Sequence, residues 1–157
     1  MPRALRRVRR RDSVRFMDLA DWLRLDVPVG QAGMGGGLTG PELAAAVASA
    51  GGLGTLGLAP PDQLRDSIRQ IRDDAPGRAV VVNLLTPFLR RRHVSECVNS
   101  RIVAAVVAFG GDRALVDKLR GAGVFVFVMV GTDRCCLPAE SQPARISGRR
   151  WRQGLVE

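Results

Sequence analysis

Between residues 27 and 130 the chain alternates short apolar runs with longer amphipathic stretches, and this alternation narrows the possible folds more than any other feature. It is the pattern of successive strand–helix units around a parallel sheet. The apolar runs fall at about 27–31, 54–58, 79–84, 102–108 and 124–130. Runs this short and rich in Val, Leu and Ile suit strands covered on both faces. Membrane-spanning helices need roughly 20 apolar residues, so these runs are too short to be membrane spans.

The stretches between them read as helices. One runs over 41–50, opened by Gly40-Pro41 and ended by Gly51-Gly52, because proline suits a first helical turn and glycine the position after the last. A second follows Pro60-Pro61-Asp62, with Leu64, Ile68 and Ile71 at helical spacing toward the sheet and Asp66 and Arg69 toward water. A third, weakly periodic and basic, covers 89–100 after Thr86-Pro87, and a fourth covers 112–122. The prediction is therefore five parallel strands and four helices. Beyond Thr132 the periodicity stops, and residues 133–157 hold a Cys-Cys pair, two prolines and scattered arginines.

The net charge of +9 raises the question of a nucleic-acid partner, and its distribution answers it. Residues 1–15 carry seven Arg against Asp12, a net +6, and residues 133–157 carry five Arg against three acids, a net +2. The intervening residues 16–132 carry twelve basic against eleven acidic groups, the balance of an ordinary soluble enzyme. No aromatic residues are interleaved in the basic start to stack on bases, so the expectation is no nucleic-acid function. Met17 fits a natural first residue, and residues 1–16 read as a basic disordered arm. The Arg-rich start is not followed by an apolar stretch with a cleavage site, so a secretory leader is not expected and the cytoplasm is the default location.

Cys97, Cys135, Cys136 and the single histidine, His93, have no spacing that builds a tetrahedral zinc site. Cys97 lies four residues after His93 on the predicted third helix, where a buried reduced thiol is expected. His93 has no identifiable partner for catalysis, so a surface or packing role is expected for it.

Four glycines stand in Gln31-Ala32-Gly33-Met34-Gly35-Gly36-Gly37, at the carboxyl end of the first predicted strand. Parallel α/β proteins build their sites at that end. Without Cβ atoms the main chain can pass close under a flat ring and reach its polar edge. The string fails the GxGxxG dinucleotide fingerprint, which runs directly into a helix. Asn83 interrupts the apolar third strand near its carboxyl end, and a buried amide without partners costs ~1–3 kcal/mol, which marks it as a candidate ligand contact.

The string QAGMGGGLTGPELAAAVASAGGLGTLGL, followed by VVVNLLTPF, resembles the opening of the nitronate monooxygenases, formerly 2-nitropropane dioxygenases. The resemblance covers about residues 19–132 and implies a TIM barrel that binds FMN and oxidises alkyl nitronates with O2. The fold expected is thus α/β, a partial (β/α)8 barrel of about five units over 17–132, with an irregular tail at 133–157. The resemblance further implies that Gly33, Met34 and Gly35 line the flavin ring and that Asn83 hydrogen-bonds the cofactor. It also places Met129 at a strand end facing the cofactor.

Two family features are missing from the sequence: an Ala-Gly-Gly-His segment carrying the catalytic base, and the glycine-rich phosphate grip after strands seven and eight. A truncated or frame-shifted chain that binds little flavin and is inactive alone is the expectation. Flavin-dependent enoyl-acyl carrier protein reductases open similarly and form the rival enzymatic reading. A non-catalytic remnant is a third reading, and insolubility of the exposed sheet edges would mark it.

Overall fold

The computed structural model describes residues 16–110 and 113–129; the basic arm and the tail fall outside these. Ten elements follow one another in the order α1 (Phe16–Leu23), α2 (Pro41–Ser49), β1 (Thr55–Leu56), α3 (Pro61–Asp74), β2 (Val81–Leu85), a 3-10 turn (Thr86–Phe88), α4 (Arg91–Asn99), β3 (Ala104–Ala108), α5 (Arg113–Gly121) and β4 (Phe125–Val128). The strands form one parallel sheet in the order β1-β2-β3-β4. Val81, Ala104 and Phe125 share one register level, and Asn83, Val106 and Phe127 the next but one.

Strand order equal to chain order decides between two architectures open to a βα repeat. A doubly wound sheet reverses its order at a switch point, and no reversal occurs here. The helices accordingly share one layer. Ala44, Ala45 and Ala48 of α2, Leu64, Ile68 and Ile71 of α3, Val94 and Cys97 of α4 and Leu119 of α5 pack with Leu56, Val82, Leu84, Ala105 and Val107 in a single core. The opposite sheet face carries Val81 and Ala104, with Val106, Phe125 and Phe127 beside them, and is closed at the amino-terminal end of the strands by Leu23 of α1. Trp22 packs against Phe125 at 5.1 Å between ring centroids and Phe125 against Phe127 at 4.8 Å, both pairs tilted. This is a barrel wall: helices outside, a plug helix below, and an inner face leading up to the carboxyl ends.

The first predicted strand, 27–31, is reduced to one parallel bridge between Gly30 and Leu53. Leu53 N–H donates to the Val29 carbonyl (2.8 Å) and Gln31 N–H to the Leu53 carbonyl (2.9 Å). The next rung is made by a side chain: Thr55 N–H donates to Gln31 Oε1 at 3.1 Å, while Gln31 Nε2 donates to the Ala32 carbonyl. The ladder group on Thr55 is satisfied, so the main chain is free to leave the sheet after Gln31. The second strand is shorter than its apolar run for a related reason, since Gly57 N–H bonds the Thr39 carbonyl (2.9 Å) instead of a strand neighbour.

Helix α1 went unpredicted. The basic stretch expected as a helix over 89–100 forms α4 from Arg91 to Asn99, and the extended Leu89 and Arg90 separate it from the preceding 3-10 turn.

Candidate functional site

On leaving the sheet, the chain from Ala32 to Thr39 folds back over the carboxyl ends of β1 and β2. Two side chains hold it. Thr39, 2% exposed, donates from its hydroxyl to the Met34 carbonyl (2.8 Å) and accepts from the Met34 N–H (2.8 Å), closing the glycine-rich turn on itself. Asn83 Nδ2 donates to the Gly33 carbonyl at 2.7 Å and fastens the turn to β2. Neither Thr39 nor Gln31 was picked out from the sequence. The only available signals are a polar residue on either side of the glycine string, each able to satisfy backbone locally.

Close approach makes the glycines necessary. A Cβ on Gly33 would overlap Asn83 Cβ and stand 3.1 Å from Thr55 Cγ2. A Cβ on Gly35 would stand 3.3 Å from Leu85 Cδ1. Beneath the turn, a Cβ on Gly57 would overlap the Met34 carbonyl oxygen and lie 2.6 Å from Thr39 Oγ1. At the tip, Gly36 and Gly37 adopt φ of +71° and +80°, which glycine takes without strain.

Of the residues predicted for the site, Gly33 and Asn83 are in direct contact, with Met34 and Gly35 on the same turn. Met129 stands two strands away. Its N–H donates to the Val107 carbonyl (2.9 Å), which sets it at the level of Ala108 and Leu85, one pleat above Asn83. Met34 and Met129 both expose their side chains at this end of the sheet.

Asn83 is 3% exposed, and its amide is only half used. The Gly33 carbonyl can only accept, which fixes Nδ2 as the atom facing it. Asn83 Oδ1 is left buried without a partner among the described residues. Buried acceptors are nearly always satisfied, so an unpaired one beside a Cβ-free cradle points to a donor supplied by a ligand. The rest of the inner face around it is Thr55 and apolar side chains, and it carries no charged group among the described residues.

His93 and Cys97 lie elsewhere, in the outer helix layer. His93 is buried, its Nδ1 accepts the Arg90 N–H at 2.8 Å, and its ring also bonds the Ala59 backbone, tying α4 to the loop after β1. Burial, opposed by the Ala59 backbone bond and reinforced by the nearby Arg90 charge, leaves its pKa below the ordinary histidine value. Burial, with the neighbouring Glu96 charge, pushes the Cys97 thiol up to about 12. Both are packing groups, and neither offers a base or nucleophile to the inner face. No cluster of three or more His, Cys, Asp or Glu that could hold a metal occurs among the described residues.

A one-directional βα wall with a plug below and a glycine-built cradle at its carboxyl end defines the class: part of a (β/α)8 barrel, with the cradle at the end where such barrels place their sites. Comparison with known proteins agrees. Residues 17–88 match the sequence model of the nitronate monooxygenase family, so the front part of the chain carries that family's signature. Among solved structures, FabK from Thermotoga maritima is similar at 27% identity and a TM-score of 0.67, over 75% of this chain and 38% of that one. Nitroalkane oxidase from Streptomyces ansochromogenes is similar at 27% identity and a TM-score of 0.64, over 75% of this chain and 44% of that one. The chain thus spans about two fifths of the length of the solved structures it matches. The comparison with curated proteins gave no match.

Proposed function

We propose that residues 17–129 form the ring-binding part of the FMN site of an oxidoreductase of the nitronate monooxygenase type, acting on alkyl nitronates with O2. The observation that carries this reading is the unpaired, buried Asn83 Oδ1 set against the Gly33 cradle. A flavin fits both. Its ring edge offers an N–H to an acceptor, and its flat body needs main chain without Cβ atoms beneath it. When bound, FMN supplies an electron acceptor for an electron-rich carbanion, with O2 as the terminal oxidant.

The chain's own residues bind, orient and exclude water. Asn83 accepts from the ring edge while its amide group holds the turn. Gly33 and Gly35 leave room for the ring, Met34 packs beside it, and Met129 forms an apolar wall two strands away. The uncharged inner face keeps water from the ring and strengthens the single polar contact in a low-dielectric setting. The 157 residues hold no Ala-Gly-Gly-His segment and no glycine-rich phosphate grip. The ring therefore provides all the affinity that these residues can give, and nitronate turnover by them alone stays at background.

Titrating FMN and riboflavin against the full chain, read by flavin fluorescence, tests the reading. The expected result is equal, weak affinity for the two, since they differ only in the phosphate. Absence of binding for both overturns the flavin reading. Binding of FMN tenfold tighter than riboflavin shows a phosphate grip and overturns the division of the site. Oxidation of NADH by the chain, without O2 consumption on propionate-3-nitronate, favours a reductase instead. No helix among the described residues is long and apolar enough to cross a membrane.

A further inference from the structure

Three non-glycine residues among those described have positive φ: Arg24 (+53°), Arg101 (+47°) and Phe109 (+61°). The first two close helices. After α1, Arg24 N–H donates to the Asp21 carbonyl (3.1 Å) and Leu25 N–H to the Ala20 carbonyl (2.9 Å). After α4, Arg101 N–H donates to Val98 (3.0 Å) and Ile102 N–H to Cys97 (3.2 Å). Both are Schellman closures, in which a left-handed residue satisfies the last carbonyls of a helix.

Phe109 closes no helix. It follows β3 directly, and a bulky residue in the left-handed region is a true outlier. Packing does not explain it, because its side chain is 69% exposed and belongs to neither core cluster. Backbone strain of this kind persists mainly where a site requires it. The effect of the strain is visible in the strand pattern. Ala104, Val106 and Ala108 face inward, so simple alternation would turn residue 109 toward the helix layer. The left-handed turn breaks the alternation and leaves the ring in the open at the carboxyl end.

The turn is fastened to the candidate site. Thr86 Oγ1 donates to the carbonyl of Gly110, whose own φ is +90°. Thr86 directly follows Leu85, the residue that lies against Gly35 of the cradle. Met34, Leu38, Phe88 and Met129 are exposed apolar side chains on the neighbouring loops and strand end.

We infer that Phe109 is a specificity-determining residue: its ring forms an apolar lip at the mouth of the site and selects nitronates with a longer alkyl body. The inference rests on the function proposed above. It is tested on the full chain, with Phe109→Gly and Phe109→Leu beside it, by calorimetric binding of the nitronates of nitroethane, 1-nitrobutane and 1-nitrohexane, with and without FMN. Affinity in the parent chain rises with chain length, by up to roughly fourfold per methylene. Phe109→Gly flattens that slope and Phe109→Leu keeps part of it. The thermal midpoint of Phe109→Gly is unchanged or raised, because glycine takes this φ without strain. Equal slopes in parent and Phe109→Gly overturn the inference, as does a fall in that midpoint, which would make the ring a packing element. A flat slope in the parent also overturns it. Failed FMN titration with the slope intact overturns the flavin reading alone.

Discussion

Replacing Asn83 with Leu separates what this residue does for the fold from what it does for a ligand. Leu and Asn have the same branching, a Cγ bearing two terminal atoms, so the substitution nearly fits the space, and the methyl that replaces Nδ2 need only draw back a few tenths of an ångström from the Gly33 carbonyl oxygen, which Nδ2 approaches to 2.7 Å. Three quantities change. The buried, unpaired Oδ1 is removed, recovering about 1–3 kcal/mol. The Nδ2 bond to the Gly33 carbonyl is lost, at about 0.5–1.5 kcal/mol. Gly33 is only partly buried, so its carbonyl can turn to water and adds little penalty. Burying two methyl groups in place of a polar amide adds roughly 1 kcal/mol or more in favour of the variant. The net expectation is that Asn83→Leu is more stable than the parent by about 1–2 kcal/mol, measured as a higher urea midpoint at unchanged slope.

Flavin binding moves the other way. A leucine offers no acceptor, so the affinity measured by flavin fluorescence falls at least tenfold, an effect of about 1.4 kcal/mol for one lost contact. A stabilised variant that no longer binds is the signature of a residue kept for its ligand. The reasoning is refuted if Asn83→Leu loses 2 kcal/mol or more of stability, because Asn83 would then be chiefly the anchor of the glycine turn. Unchanged flavin affinity refutes the ligand role directly.

Gly54→Ala places a methyl group over the Ala44 carbonyl oxygen and 2.8 Å from its carbon, a clash with helix backbone that no side-chain rotation relieves. The expected loss is about 3 kcal/mol, checked by urea denaturation, and a loss under 1 kcal/mol would mean that α2 does not pack on β1 as described. His93 predicts the pH response. Its pKa is lowered in the folded state, so the unfolded chain binds the proton more readily. Stability is complete above the unfolded value of about 6.5 and declines as pH falls below it. Comparing urea midpoints between pH 7.5 and 5 for the parent and His93→Gln isolates this contribution from the carboxylates, and parallel profiles would show that His93 is not the group responsible.

The sheet was legible because its apolar runs and glycine stops are local signals. Four of the five runs became strands in the predicted order, and Asn83 stood out as the one polar break in its run. What escaped depends on contacts between distant residues. Residues 27–31 have a strand's composition, but the Gln31 side chain takes over the ladder at Thr55, and Val29 is left 63% exposed. Helix α1 has only eight residues, too short to be stable in water by propensity. It gains its stability from packing Leu23 against Val81 and Ala104, which lie some sixty to eighty positions further along. Thr39 closes its turn across five residues, a span at which neither helical nor strand periodicity gives a signal.

The glycines beneath the cradle explain how a partial barrel can carry a shaped site. Gly57 admits the Met34 carbonyl and Thr39 from below, Gly54 admits the α2 backbone, and Gly33 admits Asn83 from the side. Each is a position where a missing Cβ lets one piece of the framework seat against another. The shape of the cradle is therefore set by β1, β2 and α2, through contacts within residues 30–85. Nothing in that set comes from the ligand or from the opposite side of a barrel. Preorganisation of this kind lowers the ordering cost of binding. It confines that benefit to the ring, because the groups that would recognise a phosphate or move a proton do not belong to the set.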